Sequence, residues 1–261
     1  MNGKSIRLER IIDRATGRAF IVPLDHGATM GPLPGLYAIR DTVGQVADGG
    51  ATAVLMHKGL IGPGHRGYGR DVGLVVHLSA GSIYSADPSR KVLVTTVEEA
   101  LRLGADAVSI HINIGGDSEP AMLQEAGAVA ASCDRWGMPL LAMVYPRGTA
   151  AEEPDAVRTC VRVAAELGAD LVKTQYTGSI DSFKEVTRGC PIPVLIAGGP
   201  RMASDREFLT MVSDAMAAGA GGVSIGRSIF EHHDIAGMCA AVSDIVFRDC
   251  DVDTALLRIK S

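Results

Sequence analysis

Leu167-Gly168-Ala169-Asp170-Leu171-Val172-Lys173 is the stretch on which the fold turns. A helical pattern ends at glycine and an apolar run follows at once. Glycine past the end of a helix relieves the left-handed turn there, and a short loop then feeds a buried parallel strand. The same phrase returns at Asp48-Gly-Gly-Ala-Thr-Ala-Val-Leu-Met-His57, at Leu103-Gly-Ala-Asp-Ala-Val-Ser-Ile-His111 and at Ala218-Gly-Ala-Gly-Gly-Val-Ser-Ile-Gly226. Variants with proline lie at Trp136-Gly-Met-Pro-Leu-Leu-Ala-Met-Val-Tyr145 and Arg188-Gly-Cys-Pro-Ile-Pro-Val-Leu-Ile-Ala197. Several of these glycines are roughly thirty residues apart, the length of one βα unit.

The apolar runs predict eight strands, near 19–25, 52–57, 73–78, 106–112, 139–145, 170–175, 193–198 and 222–226. Between them lie helical patterns at 36–48, 59–66, 95–103, 119–136, 154–167, 179–188, 204–218 and 231–247. Eight alternating units predict one closed (β/α)8 TIM barrel, a single domain over 1–261. An open doubly wound sheet is the alternative. It calls for a G-x-G-x-x-G turn after the first strand, which this chain lacks. The segment around Thr16-Gly17 and the final residues from Asp251 read as end caps.

Composition agrees. The 261 residues are 47% hydrophobic but only 4% aromatic, a core of small aliphatic side chains suited to parallel strands under helices. A net charge of −5 gives no footprint for nucleic acid. The five cysteines, at 133, 160, 190, 239 and 250, form no C-x-x-C pair and fit reduced thiols in a cytoplasmic protein. The start carries charges where a signal peptide would need its apolar stretch, so none is expected, and no run is long and apolar enough to span a bilayer. No carboxylate–histidine cluster has metal-ligand spacing, so neither metal nor cofactor is expected.

In such a barrel the chemistry sits at the C-terminal strand ends. Lys173 shares a face with Leu171, so if Leu171 fills the barrel the lysine points into its mouth. Burial lowers a lysine's pKa toward the neutral, nucleophilic amine that forms a Schiff base. The alternative is a register one residue off, with the lysine reaching water or a structural carboxylate. Asp25 ends the first strand and suits proton transfer, or else it caps the next segment or only pairs with Lys173. His26 either orients Asp25 or touches substrate. Tyr145 ends the fifth strand, as a proton relay or a core tyrosine, and Arg147 follows, either within reach of an anionic substrate or simply solvated. Gly198-Gly199 and Gly226-Arg227 end the last two strands, where barrels hold phosphate. His57 through Gly69 forms a basic, glycine-rich loop, either a lid or a subunit contact. His77 and His111 read as lining or core histidines, and His232-His233 as a helix start.

Pro23-Leu-Asp-His-Gly27, Met143-Val-Tyr-Pro-Arg-Gly148, Val172-Lys-Thr-x-Tyr-Thr-Gly178, Ala197-Gly-Gly-Pro200 and Ile225-Gly-Arg-x-Ile-Phe230 together resemble the class I aldolases of the DeoC/FbaB superfamily. The likeness runs along essentially the whole chain. It is closest to the branch of 2-amino-3,7-dideoxy-D-threo-hept-6-ulosonate synthases, aldolase-like enzymes of an alternative route to aromatic amino acids. The resemblance implies Lys173 as Schiff-base lysine, Tyr145 as proton donor and Asp25 as proton acceptor. It implies substrate contacts at Asp25, His26, Gly27, Ala28 and Thr29, and at Tyr145, Pro146 and Arg147. Gly198, Gly199, Gly226 and Arg227 complete the set. The implied substrates are a ketose phosphate and L-aspartate semialdehyde. A relative that joins dihydroxyacetone phosphate to aspartate semialdehyde is one alternative, and fructose-bisphosphate aldolase another. Members form homo-oligomers, commonly decamers. Gln175 and Ile83-Tyr84 stand where the family carries smaller residues, at positions expected to line the pocket. Two rivals from other classes are a metal-dependent barrel lyase or isomerase and a non-catalytic sugar-phosphate-binding barrel.

Overall fold

The computed structural model describes residues 3–64, 68–148, 151 and 153–260. Eight parallel strands close into a barrel: β1 (Ala19–Pro23), β2 (Ala53–Met56), β3 (Gly73–His77), β4 (Ala107–Ile114), β5 (Leu140–Pro146), β6 (Leu171–Thr174), β7 (Val194–Ala197) and β8 (Gly222–Ser224). Each pairs with its neighbour in sequence, and β8 returns to β1 through Ala19↔Gly222, Phe20↔Val223 and Ile21↔Ser224. The outer helices are α1 (Ile39–Asp48), α2 (Lys58–Gly64), α3 (Val97–Arg102), α4 (Glu119–Trp136), α5 (Pro154–Glu166), α6 (Ile180–Arg188), α7 (Asp205–Ala217) and α8 (Ile235–Arg248). All eight expected strands and their order are present. No helix among the described residues is long and apolar enough to cross a membrane.

The repeated junction has a physical use for each residue. Gly168 adopts φ +97°, a conformation other residues reach only at a cost. The aspartate of Gly-Ala-Asp turns back onto the preceding strand. Asp106 accepts from the Leu74 N–H at 2.9 Å, and Asp170 from the Leu140 N–H at 2.8 Å. The same carboxylates hold the N-terminal segment, through Arg10–Asp106 at 2.7 Å and Lys4–Asp170 at 3.0 Å. That segment carries Ile11 into the barrel floor, where it is buried with Ala19, Ile21, Leu55, Leu141 and Leu171. The stretch before β1 is therefore a plug as well as a cap.

Inner-face residues alternate with outer ones that pack beneath the helices, such as Phe20, Val22, Val172 and Ile196. Leu171 belongs to the inner cluster and Val172 to the outer one. The lysine register is thereby settled: Lys173 faces inward.

Three details differ from expectation. β3 is followed by a two-stranded antiparallel ribbon, Ser79–Ala80 against Val92–Leu93, too short to show a pattern in the sequence. The last strand ends at Ser224, so Gly226 and Arg227 lie beyond the sheet, and a short helix, Arg227–Phe230, precedes α8. Of the expected basic loop, residues 65–67 lie outside the described residues.

Barrel closure makes a sharp demand at Gly222. Its φ is +130°, and a Cβ there would lie 1.9 Å from the Ala19 carbonyl oxygen. Gly17 (φ +70°) has nothing within 4 Å of the same position. Gly222→Ala is expected to cost about 3 kcal/mol or more, and Gly17→Ala about 1 kcal/mol, in urea unfolding. Equal shifts for the two variants would contradict this closure.

Candidate active site

Strand alternation carries a set of polar side chains to one end of the barrel interior. Leu171 puts Lys173 at the mouth, Ile21 and Pro23 lead to Asp25, and Met143 leads to Tyr145. Met143 pairs with Lys173 across β5 and β6, so Tyr145 stands one layer above the lysine's neighbour. Lys173 is 7% exposed. Among the described residues it makes no direct ion pair.

Burial pushes the Lys173 ammonium down to about 8, while the Asp25 carboxylate pulls in the opposite direction. For Asp25 itself, burial is the largest influence and raises its pKa. The attraction of His77, then of His26, Lys173 and His57, outweighs it and leaves the carboxyl below its ordinary value. Asp25 is therefore an anion at neutral pH. Burial also lowers His77 and His26 to about 4, so both imidazoles are neutral there. Burial, with Asp25 reinforcing it, raises the Tyr145 phenol, which keeps its proton. The site thus contains a weakly basic amine, a carboxylate acceptor and a phenol donor.

His77 was not assigned a role by the sequence, and the structure gives it a close relation to Asp25. It is 5% exposed, with Nε2 3.8 Å from the Asp25 carboxylate and Nδ1 2.8 Å from the buried Ser109 hydroxyl. With that hydroxyl donating to Nδ1, the Nε2–H faces Asp25. The His57 ring lies 5.2 Å from that of His77. The signal was present in the strand period: Val75 faces inward, so His77 must as well. The same rule carries Ser109, His111 and Asn113 inward from Ala107.

His26 sits 3.5 Å from Asp25, without a hydrogen bond at its Nδ1. Its ring packs edge-on against Phe230 at 5.1 Å, and a Cβ on Gly226 would lie 2.5 Å from it. His26 therefore wedges the first loop against the last. Gly27, Ala28 and Thr29 form the helical turn Gly27–Met30. Ala28 is exposed, while the Thr29 carbonyl accepts from the Ile83 N–H at 3.1 Å. Pro146 is buried on the face opposite Tyr145.

The β7 and β8 loops meet. A Cβ on Gly198 would lie 2.8 Å from Ile225, and the Arg227 guanidinium donates to the Gly199 carbonyl at 3.0 Å. Arg147 is exposed, its guanidinium carbon 5.7 Å from the Tyr145 ring centre. Gln175 donates to the Ala151 carbonyl at 3.0 Å, and Tyr84 is 92% exposed. His232 is bound by Asp205 at 3.2 Å at the approach to α8. Among the described residues no group of three or more histidines, cysteines or carboxylates is placed to hold a metal ion.

Comparison with known proteins converges on one family. The family model described as DeoC/LacD family aldolase matches residues 19–232. A 2-amino-3,7-dideoxy-D-threo-hept-6-ulosonate synthase of Halobacterium salinarum is 45% identical over 258 residues, 98% of this chain and 96% of that protein. A 2-amino-4,5-dihydroxy-6-oxo-7-(phosphonooxy)heptanoate synthase of Streptomyces griseus is 42% identical over 246 residues, 93% of this chain and 90% of the other. An archaeal fructose 1,6-bisphosphate aldolase of known structure superposes with a TM-score of 0.84 at 29% identity, covering 94% of this chain and 99% of that one. An archaeal fructose-1,6-bisphosphate aldolase structure with its catalytic lysine bound to a carbinolamine gives 0.84 at 28%, covering 93% and 98%. With the matched family model spanning the barrel from β1 past β8, this chain belongs to the DeoC/LacD aldolase family.

Proposed function

We propose that this chain is a Schiff-base aldolase that joins a three-carbon fragment of a ketose phosphate to L-aspartate semialdehyde, with Lys173 as the nucleophile. One observation carries the reading: an amine held almost dry at the barrel mouth, with a carboxylate and a phenol on the same inner surface. At pH 7 an ammonium of pKa near 8 is about a tenth neutral, against roughly one part in three thousand for an ordinary lysine. That gain in neutral amine is what imine formation needs.

The chemistry follows in order. The Lys173 amine adds to the keto carbon, and the resulting carbinolamine loses its oxygen as water with a proton from Tyr145. The iminium draws electrons from the adjacent carbon, whose bond to hydrogen or carbon breaks with Asp25 exchanging the proton. The enamine then attacks the aldehyde carbon of the acceptor, and the new alkoxide takes up a proton. Water hydrolyses the second iminium and returns the amine. Phosphate is held at Gly198, Gly199, Gly226 and Arg227.

Both named relatives make a seven-carbon product with a 2-amino acid at one end and a keto carbon at position 6. They differ at carbon 7, which bears a phosphonooxy group in one and is deoxy in the other. A second reading, dihydroxyacetone phosphate as donor, is supported by the joined β7 and β8 loops, which suit a phosphate one carbon from the keto group. The same proposal includes a cytoplasmic homo-oligomer acting on small molecules.

Three outcomes follow. Borohydride with the correct donor should fix a covalent adduct on the peptide bearing Lys173; an adduct on Lys58, or none with either donor, overturns the assignment. In the free enzyme kcat/KM should rise tenfold per pH unit at low pH and level off near pH 8, where Lys173 gives up its proton. His77 and His26 are already neutral above about 5, so a break between 6 and 7 would contradict this site. Lys173→Met should abolish turnover, by about four orders of magnitude or more, and yet stabilise the fold. The native-state pKa lies below the unfolded one, so the unfolded chain binds more protons between about 8 and 10.5. The cost of burial is thus fully present at pH 7 and fades as pH rises through that window. Removing the amine should add of order 2–3 kcal/mol at pH 7 in denaturant unfolding, and less at pH 10.

A further inference from the structure

Across the mouth from the glycine loops, two cations share a wall with no counter-ion of their own. Lys91 enters from the segment that closes the ribbon after β3, and its ammonium donates to the Gly81 carbonyl at 3.2 Å. Arg147 leaves β5 and lies over the Tyr145 ring. Among the described residues neither makes an ion pair. The two repel one another: burial first, then Arg147, pushes the Lys91 ammonium below its ordinary value, with Asp25 and Asp87 acting the other way. Asp87 is itself occupied by the hydroxyls of Ser118 and Ser89.

The wall is built rather than incidental. Asn113, paired with Tyr145 across β4 and β5, donates its amide N–H to the Ser89 carbonyl, and its Oδ1 accepts from the His111 Nε2–H at 3.0 Å. This bond ties the segment carrying Lys91 to the strand beside Tyr145. The His111 ring lies 5.1 Å from that of Tyr145, and burial lowers its pKa to about 3, with His77, Lys91 and Arg147 adding to the effect. His111 is thus a neutral ring packed beside the tyrosine over which Arg147 lies. Two neighbouring like charges, one half-buried on Lys91 and one exposed on Arg147, are eased by an anion that joins them.

We infer that Lys91 and Arg147 form a second anion subsite that receives the carboxylate of the acceptor, an amino-acid semialdehyde. The inference rests on the proposed Schiff-base reading. The two named relatives' products both end in a carboxylate remote from the keto carbon, whatever stands at carbon 7. A substrate whose keto carbon lies on Lys173 and whose phosphate end points to β7 and β8 has its acid end toward β3 to β5. A guanidinium and an ammonium on that side supply charge-assisted hydrogen bonds to that acid. Lys91 therefore selects among acceptors, while Lys173 captures the donor.

Initial rates test it, with whichever donor traps on Lys173 held fixed and the acceptor varied between aspartate semialdehyde and uncharged propanal. In Lys91→Met the KM for aspartate semialdehyde should rise roughly 10- to 100-fold with kcat within about threefold. The preference for the acid over propanal should narrow by a similar factor, and Lys91→Arg should restore most of it. An unchanged preference in Lys91→Met overturns the assignment, whatever happens to the overall rate. So does loss of borohydride trapping at Lys173 in that variant, which would place Lys91 on the donor side. If the wild-type chain traps a donor but rejects aspartate semialdehyde, the proposed acceptor fails separately. The subsite is then judged by the same ratio with succinic semialdehyde against propanal.

Discussion

The constraint on which the rest depends is the desolvation of one ammonium group. Lys173 stands where water is nearly excluded, and Asp25 is close enough to oppose the resulting pKa shift without cancelling it. Had the carboxylate formed a direct ion pair, it would have held the amine charged and inert. Had it been absent, the buried lysine would be neutral but without a nearby proton acceptor. His77 and His26 flank that carboxylate, at 3.8 and 3.5 Å, with rings whose own burial keeps them neutral at pH 7. On the proposed reading, a destabilising burial is retained because it supports chemistry, as strained or desolvated sites generally are.

The barrel makes that burial possible. Its floor is plugged by Ile11 and held by the Arg10–Asp106 and Lys4–Asp170 pairs, so the interior is dry from below. Its strands alternate, so each brings every second residue to the axis and the last of these to the mouth. On the proposed reading, the donor and acceptor ends of a substrate fall to different loops: glycines and Arg227 after β7 and β8, and cationic side chains after β3 and β5. One rigid scaffold can keep the lysine chemistry constant while loop residues decide what is joined to what.

Much of this was legible in the chain itself. The Gly-Ala-Asp junction at Leu103 and Leu167 marked the helix-to-strand passages because only glycine accepts the turn cheaply, and alternation from Leu171 placed Lys173 inward. What resisted was whatever depends on contacts between distant segments. The pairing of Asp106 and Asp170 with the N-terminal plug joins residues far apart in sequence. His77 looked like any strand histidine, since nothing local to it announces Asp25. The Ser79–Ala80 ribbon is too short for a periodic signal, and Lys91 sits in a polar loop where a lysine is unremarked. Gly226 and Arg227 were expected to end the last strand, which stops at Ser224, two residues before its apolar run does.

The most direct test is the acidity of the Lys173 amine in the free protein. Competitive labelling with isotopic acetic anhydride across pH 6 to 11, followed by peptide mass spectrometry, reports it residue by residue. An inflection near 8 for the peptide bearing Lys173, more than two pH units below that of an ordinary lysine, is the result this account requires. A Lys173 inflection beside those of the exposed lysines would mean that the amine is hydrated and charged, and the account would be wrong.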